Sequence, residues 1–289
     1  MNRFLGSCIL GTAVFVSSLL TLGCTKTAYA QNGGKAPRKL QVESAGVPDA
    51  DIQNAEKIRR VFSRVNPRAK SCLDGILAEQ DEFLSDLQVL LDEEKEFRSD
   101  DKSLFFLIDK KNMAESTYIP KDLIELKANR YFNLNKSGMF IRPEAYEALK
   151  EMSLAAQADG ITLLVSSVYR SYKYQENLFN YWVSVDGLEE AERESARAGT
   201  SQHQLGTAVD FGSISDDFGS TTMGKWVYRN AAKFGWSLSF PKGYEDVTGY
   251  RWECWHFRYV GKNACVFQEK WFGDVQQFML EFIKYWKED

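Results

Sequence analysis

Three features of the 289-residue sequence predict a mixed fold of helices and strands, α+β or α/β. Apolar residues recur at helical spacing through residues 51–102. Strand-length apolar runs then alternate with helix-length segments, and the chain closes on a strongly amphipathic helix.

Ile58, Val61, Phe62 and Val65, then Leu73, Ile76, Leu77, Leu84, Leu87, Leu90 and Leu91, follow a helical period that Pro67 interrupts. A two-helix extension over residues 51–102 is expected, because proline removes a helix-interior donor and clashes with the preceding turn. Its last stretch, DEEKEFRSDDK, is a solvated helix end or a linker. Residues 103–289 then carry the alternation. LFFLID (104–109) reads as a short strand, and PEAYEALKEMSLAAQADG as a helix that starts at Pro143 and stops at Gly160. ITLLVSSV reads as a buried strand, residues 171–183 and 187–198 as helices, and TAVDF as a short strand. Ser220 is placed to cap a helix that Gly235 ends. SLSF and YRWECWHFRYV read as two strands joined by the turn-rich PKGYEDVTG. In the last helix Val275, Phe278, Met279, Phe282, Ile283 and Trp286 share one face, which predicts burial against the sheet.

The N-terminus has a different character. Arg3 is followed by a charge-free run from Phe4 to Leu22, the pattern of an export signal or membrane anchor within residues 1–30. Two processing sites compete: the small-residue end Ala28-Tyr29-Ala30, and a loose lipoprotein box at Gly23-Cys24, where Cys24 would carry a lipid anchor. An uncleaved anchor is the third option, and all three place the folded part outside the cytoplasm, in the periplasm or cell envelope. Residues 31–50 are polar and rich in Gly and Pro, which predicts a flexible tether. A net charge of −4 without a long Lys/Arg run gives no footprint for nucleic acid. Beyond the signal, Cys72, Cys254 and Cys265 are too few for a disulfide scaffold. One bridge, Cys254 to Cys265, is open to them if the chain doubles back. The absence of a CxxC pair excludes a cysteine-built zinc ribbon.

The chain has only two histidines. His203 sits in SQHQLGTAVD and His256 in RWECWHFRY. Imidazole is the commonest zinc ligand, and a catalytic zinc takes three protein ligands and keeps one position open. With two histidines the third ligand must be a carboxylate. Asp210, seven residues after His203 on a short strand with Gly206 between, is the candidate. Glu253 precedes His256 by three residues, so strict strand alternation would part their side chains unless Glu253 lies at a bend. At such a bend it would be a base taking a proton from metal-activated water. Each residue also has a plainer role open to it: a hydrogen-bonded structural histidine, an Asp210 turn cap, a Glu253 pair with Arg251 or Arg258, and Trp255 as core. Two histidines and one carboxylate also hold non-haem iron in oxygenases, although the seven-residue step and the export signal speak against that.

The patterns SxHxxGxAxD (Ser201 to Asp210) and ExWH (Glu253 to His256) resemble those of VanY-type D-alanyl-D-alanine carboxypeptidases. This zinc peptidase group includes lysostaphin-like enzymes, VanX-type dipeptidases and the hedgehog signalling domain. The similarity runs from about Tyr118 to the C-terminus and includes SSVYRSYKYQ and WFGDVQQFMLEFI. It implies an α+β fold with a small, mostly antiparallel sheet carrying one zinc ion, flanked by helices. It further implies that His203, Asp210 and His256 bind the metal and that Glu253 is the general acid/base. Arg170 would face the substrate carbonyl or its oxyanion, Gln175 and Ser201 would contact the peptide's terminal groups, and Trp255 would wall the pocket. Many relatives have Gly in place of Val168 and Pro in place of Ala198.

The function so implied is removal of the terminal D-alanine from peptidoglycan stem peptides, with the stem peptide as partner. An L,D-carboxypeptidase or D,D-dipeptidase is the alternative within the group. A non-catalytic, zinc-stabilised wall-binding module is the alternative of another class.

Overall fold

The apolar period of the N-terminal third is realised as three helices whose buried faces look toward the C-terminus. The structure, a computed structural model, describes residues 49–97, 102 and 104–289. The export segment, Cys24 and the tether up to residue 48 lie outside the described residues, as do residues 98–101 and 103 at the end of the extension. Helix α1 (Asp49–Arg64) buries Ile58, Val61 and Phe62. Pro67 then opens a 3₁₀ turn, capped by the Asn66 side chain, instead of simply separating two helices. Short α2 (Leu73–Ala78) and long α3 (Gln80–Glu96) follow, and α3 turns Phe83, Leu87 and Leu90 inward.

These faces share one core with α9 (Lys262–Phe272) and α10 (Gln276–Glu288) at the far end of the chain. Phe83 is the centre of this contact. Its ring lies 5.4 Å from both Phe267 and Trp271 and 5.2 Å from Phe282, the last two edge-on. Around the rim, Asp86 accepts from Trp271 Nε1 at 2.9 Å and from Lys270 Nζ at 2.8 Å, and Glu281 accepts from Asn66 N at 2.7 Å.

The remaining elements build the site. Strands β1 (Ile124–Leu126) and β3 (Met139–Ile141) form an antiparallel pair. Strands β2 (Asn133–Leu134), β4 (Leu164–Ser167), β5 (Ala208–Phe211), β6 (Trp236–Leu238) and β7 (His256–Tyr259) form a five-stranded sheet ordered β2-β4-β5-β7-β6. Among the described residues only the β2–β4 pair is parallel, so the fold is α+β with a small, mostly antiparallel sheet. Helix α4 (Pro143–Ala158) begins with Pro143 in its first turn, and Gly160 beyond its end takes φ 75°. Helices α5 (Tyr172–Asp186) and α6 (Leu188–Glu194) lie between β4 and β5; α7 (Thr222–Asn230) precedes β6, and the single turn α8 (Glu245–Thr248) precedes β7. Val209, Phe211 and Phe257 face a core that also takes Leu149 and Met152 of α4 and Val227 of α7. Strand alternation therefore sends Asp210 and His256 to the opposite face.

Several expected elements differ. LFFLID is not a strand. The carbonyls of Leu104 and Phe106 each accept from Arg258 Nη2 at 2.9 Å, so a buried guanidinium takes the place of a neighbouring strand. YRWECWHFRYV is strand only from His256 to Tyr259, because residues 253–256 form a turn closed by His256 N donating to Glu253 O at 3.4 Å. Thr221, not Ser220, caps α7, its Oγ1 accepting from Gly224 N at 2.9 Å. Cys254 and Cys265 are free thiols. They are buried in different cores, with β7 between them, so the chain does not double back to join them. Among the described residues no helix is long and apolar enough to cross a membrane.

Because Phe83 anchors the N-terminal helices to the C-terminal pair, Phe83→Ala is expected to cost about 3–5 kcal/mol. Denaturant unfolding of the full chain checks this; a midpoint unchanged from wild type would show that the two ends of the chain do not depend on each other.

Candidate metal centre

Ser201 opens the site by capping a 3₁₀ turn, Gln202–Leu205, its Oγ accepting from His203 N at 3.3 Å. Gly206 ends the turn at φ 71°, a conformation that favours glycine, and a Cβ there would also crowd the Leu123 side chain, 2.8 Å from its Cδ2. The chain then enters β5, where Asp210 is directly opposite His256 of β7. The turn places the His203 ring edge-on to that of His256, with centroids 4.8 Å apart.

The hydrogen bonds define what each ring offers. His203 Nδ1 lies 2.6 Å from the carbonyl of Val168, which can only accept, so Nδ1 carries the proton and Nε2 is a bare lone pair. The Val168 side chain leaves this carbonyl contact intact. Nε2 is buried, 3.2 Å from Asp210 Oδ2 without hydrogen-bond geometry, and has no hydrogen-bond partner among the described residues. His256 Nε2 lies 3.2 Å from Gln202 Oε1, and its Nδ1 lies 3.0 Å from Asp210 Oδ1. With its proton on Nε2, a neutral His256 ring also turns a lone pair toward Asp210.

One donor atom from each of His203, Asp210 and His256 lies within 4.8 Å of the other two. Two imidazole lone pairs and a carboxylate aimed at one point repel one another unless a cation sits among them. This N₂O donor set beside an open cleft fits a divalent metal of the zinc type. Burial, and then the Arg170 guanidinium, push His203 down to about 4, so the ring is neutral at ordinary pH, as a ligand must be. Burial opposes the charge of Asp210, yet His203 and Arg170 beside it hold its carboxyl well below the usual range.

Arg170, just after β4, forms a close ion pair with Asp210 Oδ2 and donates through Nε to Ser167 Oγ at 2.9 Å. Glu253, in the turn entering β7, has Oε2 3.8 Å from His256 Nδ1. Burial, and then the charge of Asp210, push its carboxyl well above the ordinary value. Ser201, Trp255, Arg170, Glu253 and the three donors all line a cleft of about 320 Å³. Gln175 stands behind that lining. Its Nε2 donates to Ala196 O at 2.8 Å and its Oε1 is 3.5 Å from Arg170 Nη1, so it braces the wall.

Gln202, Phe240 and Tyr250 also line the cleft without having been singled out in the sequence. The Phe240 ring lies 4.8 Å from that of His256, and the Tyr250 hydroxyl is 3.5 Å from Thr200 Oγ1. Gln202 is adjacent to His203 in sequence, which was the available signal. Phe240 and Tyr250 had none, because loop packing brings them in.

Fold and site together define an α+β domain whose sheet carries a buried two-histidine, one-aspartate donor set. A family model described as VanY, D-alanyl-D-alanine carboxypeptidase, matches residues 138–262. YodJ of Bacillus subtilis, which carries a carboxypeptidase name, is 39% identical over 56% of this chain and 62% of its own length. A D-alanyl-D-alanine carboxypeptidase of Enterococcus faecium is 27% identical over 63% of this chain and 58% of its own. The chain thus spans about three fifths of the length of these curated relatives. The solved LdcB LD-carboxypeptidase, from work on peptidoglycan recognition, is 34% identical with a TM-score of 0.56, over 64% of this chain and 86% of that one. The chain belongs to the VanY D-alanyl-D-alanine carboxypeptidase family.

The raised Glu253 pKa has a consequence for the metal-free protein. Stability from keeping this carboxyl neutral is present below its ordinary value and is lost as pH rises through the raised one. Metal-free Glu253→Gln should match wild type near about pH 4 and become progressively the more stable of the two toward about pH 8. Chemical denaturation across that range tests it, and parallel curves would show that Glu253 is not held neutral.

Proposed function

We propose that the chain is a zinc-dependent carboxypeptidase that hydrolyses the terminal D-alanine from peptidoglycan stem peptides. The observation that carries this reading is the convergence of two imidazole nitrogens and Asp210 within 4.8 Å, beside a buried Glu253 in the same cleft. Zinc held by His203, Asp210 and His256 would supply water with a pKa lowered to about 7 and polarise the scissile carbonyl. Hydrolysis adds hydroxide to the carbonyl carbon, breaks the C–N bond and delivers a proton to the leaving amine of D-alanine. Glu253 is the group placed to carry that proton, since a nearby cation favours its ionised form while burial keeps it basic. Arg170 brings a fixed guanidinium to the cleft, where it can stabilise charge developing on the carbonyl oxygen. Ser201 and Trp255 form walls against which the peptide end is held, and Gln175 acts through Arg170. A wall-binding module would need neither Glu253 nor Arg170.

An L,D-carboxypeptidase acting on the tetrapeptide stem is the second reading, favoured by the 34% identity to LdcB. Either substrate lies in the cell envelope. The charge-free run from Phe4 to Leu22 supports export there, with a lipid anchor at Cys24 as one means of attachment.

Purified full-length protein should hold about one zinc per chain, lost in His203→Ala. Glu253→Ala should keep its metal and lose roughly 10²–10⁴-fold in release of the terminal residue. Offering tripeptide, tetrapeptide and pentapeptide stems in parallel separates the D,D from the L,D reading. Wild type without metal, or equal rates from wild type and Glu253→Ala, would overturn the mechanism.

A further inference from the structure

Behind His256 runs a chain of amides that leads away from the cleft to a backbone carbonyl on β6. Gln276 Nε2 donates to Ser237 O at 3.3 Å. That carbonyl can only accept, so the Gln276 amide has one orientation: its NH₂ toward Ser237 and its Oε1 toward Gln202. Gln202 must then present its own NH₂ there, and its Nε2 donates to Gln276 Oε1 at 3.1 Å. This leaves Gln202 Oε1 facing inward, where it accepts from Ser239 Oγ at 2.7 Å and lies 3.2 Å from His256 Nε2. Both glutamines are buried, at 6% and 1% exposure, so neither amide can reverse without leaving buried donors or acceptors unpaired.

We infer that Gln202 and Gln276 are positioning residues that keep the proton of His256 on Nε2 and thereby present Nδ1 to the metal. The inference rests on the reading of His256 as a ligand. Each link transmits polarity to the next: a carbonyl on Ser237 selects the face of Gln276, which selects the face of Gln202, which selects the nitrogen of His256. The other histidine is set by the opposite arrangement, with Nδ1 donating to Val168 O and Nε2 free. The two ligands therefore use different ring nitrogens. Gln276 lies beyond residues 138–262, the part matched by the family. It opens α10, the helix packed against the N-terminal extension, so the packing of the chain's two ends also holds the last link of this relay.

The test exploits the chain's two histidines, which give two ring systems in a long-range ¹H–¹⁵N spectrum of the full-length protein. In both zinc-loaded and chelated protein, Nε2 of His256 should carry a proton, while Nε2 of His203 should be bare when chelated and zinc-bound when loaded; His203→Gln assigns the rings. Zinc affinity, measured by competition with a chromophoric chelator, should fall about 10–100-fold in Gln202→Met and in Gln276→Met. The Nε2 proton of His256 should also exchange faster in both variants. Gln202→Glu, which keeps an oxygen before Nε2, should restore the protonation pattern. A bare or zinc-bound Nε2 on His256 in wild type overturns the inference, and so do folded variants with wild-type zinc affinity and exchange. Should the variants not fold, the wild-type spectrum still decides. Should wild type take up no zinc, the proposed function fails, and the chelated spectrum alone judges the relay.

Discussion

A carboxylate buried to 1% exposure, Asp210, is the constraint around which this molecule is arranged. Taking a charge out of water is costly unless partners with excellent geometry surround it. Here the offsetting charge is Arg170, just beyond β4, while His203 from the turn before β5 and His256 across the strand pair bring their rings against the same carboxylate. The sheet order puts β5 between β4 and β7, which is what lets one side chain meet all three. Arg170 makes the charge tolerable, and the two imidazoles turned toward it complete a donor set that could hold a metal ion.

Around that centre each wall has its own physical origin. Strand alternation separates the polar face of Asp210 and His256 from the apolar face of Val209, Phe211 and Phe257, so a dry core supports a wet cleft across one sheet. Glu253 reaches the cleft because the chain turns at residues 253–256 before pairing begins. Its burial beside Asp210 raises its proton affinity, which suits the proton-carrying role proposed for it. The N-terminal helices take no part in the cleft lining, yet they cover α9 and α10, and α10 brings both Gln276 and Gln277 to the back of the site.

Much of the fold was readable because the signals were local. Pro143 and Gly160 bracket α4, residues 171–183 fall within α5 and its Ser171 cap, and the face from Val275 to Ile283 is buried, although against α1 and α9 and not against the sheet as expected. The misreadings arise where strand composition or closeness in sequence is overridden by a competing demand, distant in some cases and local in another. LFFLID has strand composition, but Arg258, some 150 residues away in sequence, claims two of its carbonyls. The strand expected over YRWECWHFRYV is shortened by the turn that serves Glu253. Cys254 and Cys265, close in sequence, are drawn into separate cores.

The sequence by itself determined the inventory: two histidines, one acid seven residues from the first, another three residues before the second, and a glycine where the chain must turn. Those are properties of residue type and spacing, which survive without knowledge of the fold. Only the tertiary structure decided that Asp210 stands opposite His256, that Gln175 braces Arg170 without lining the cleft, and that each histidine offers a different nitrogen. The reason is physical. Which lone pair a ring exposes depends on what its other nitrogen touches, and those contacts, the carbonyl of Val168 and the amide of Gln202, are made by residues whose positions no local pattern encodes.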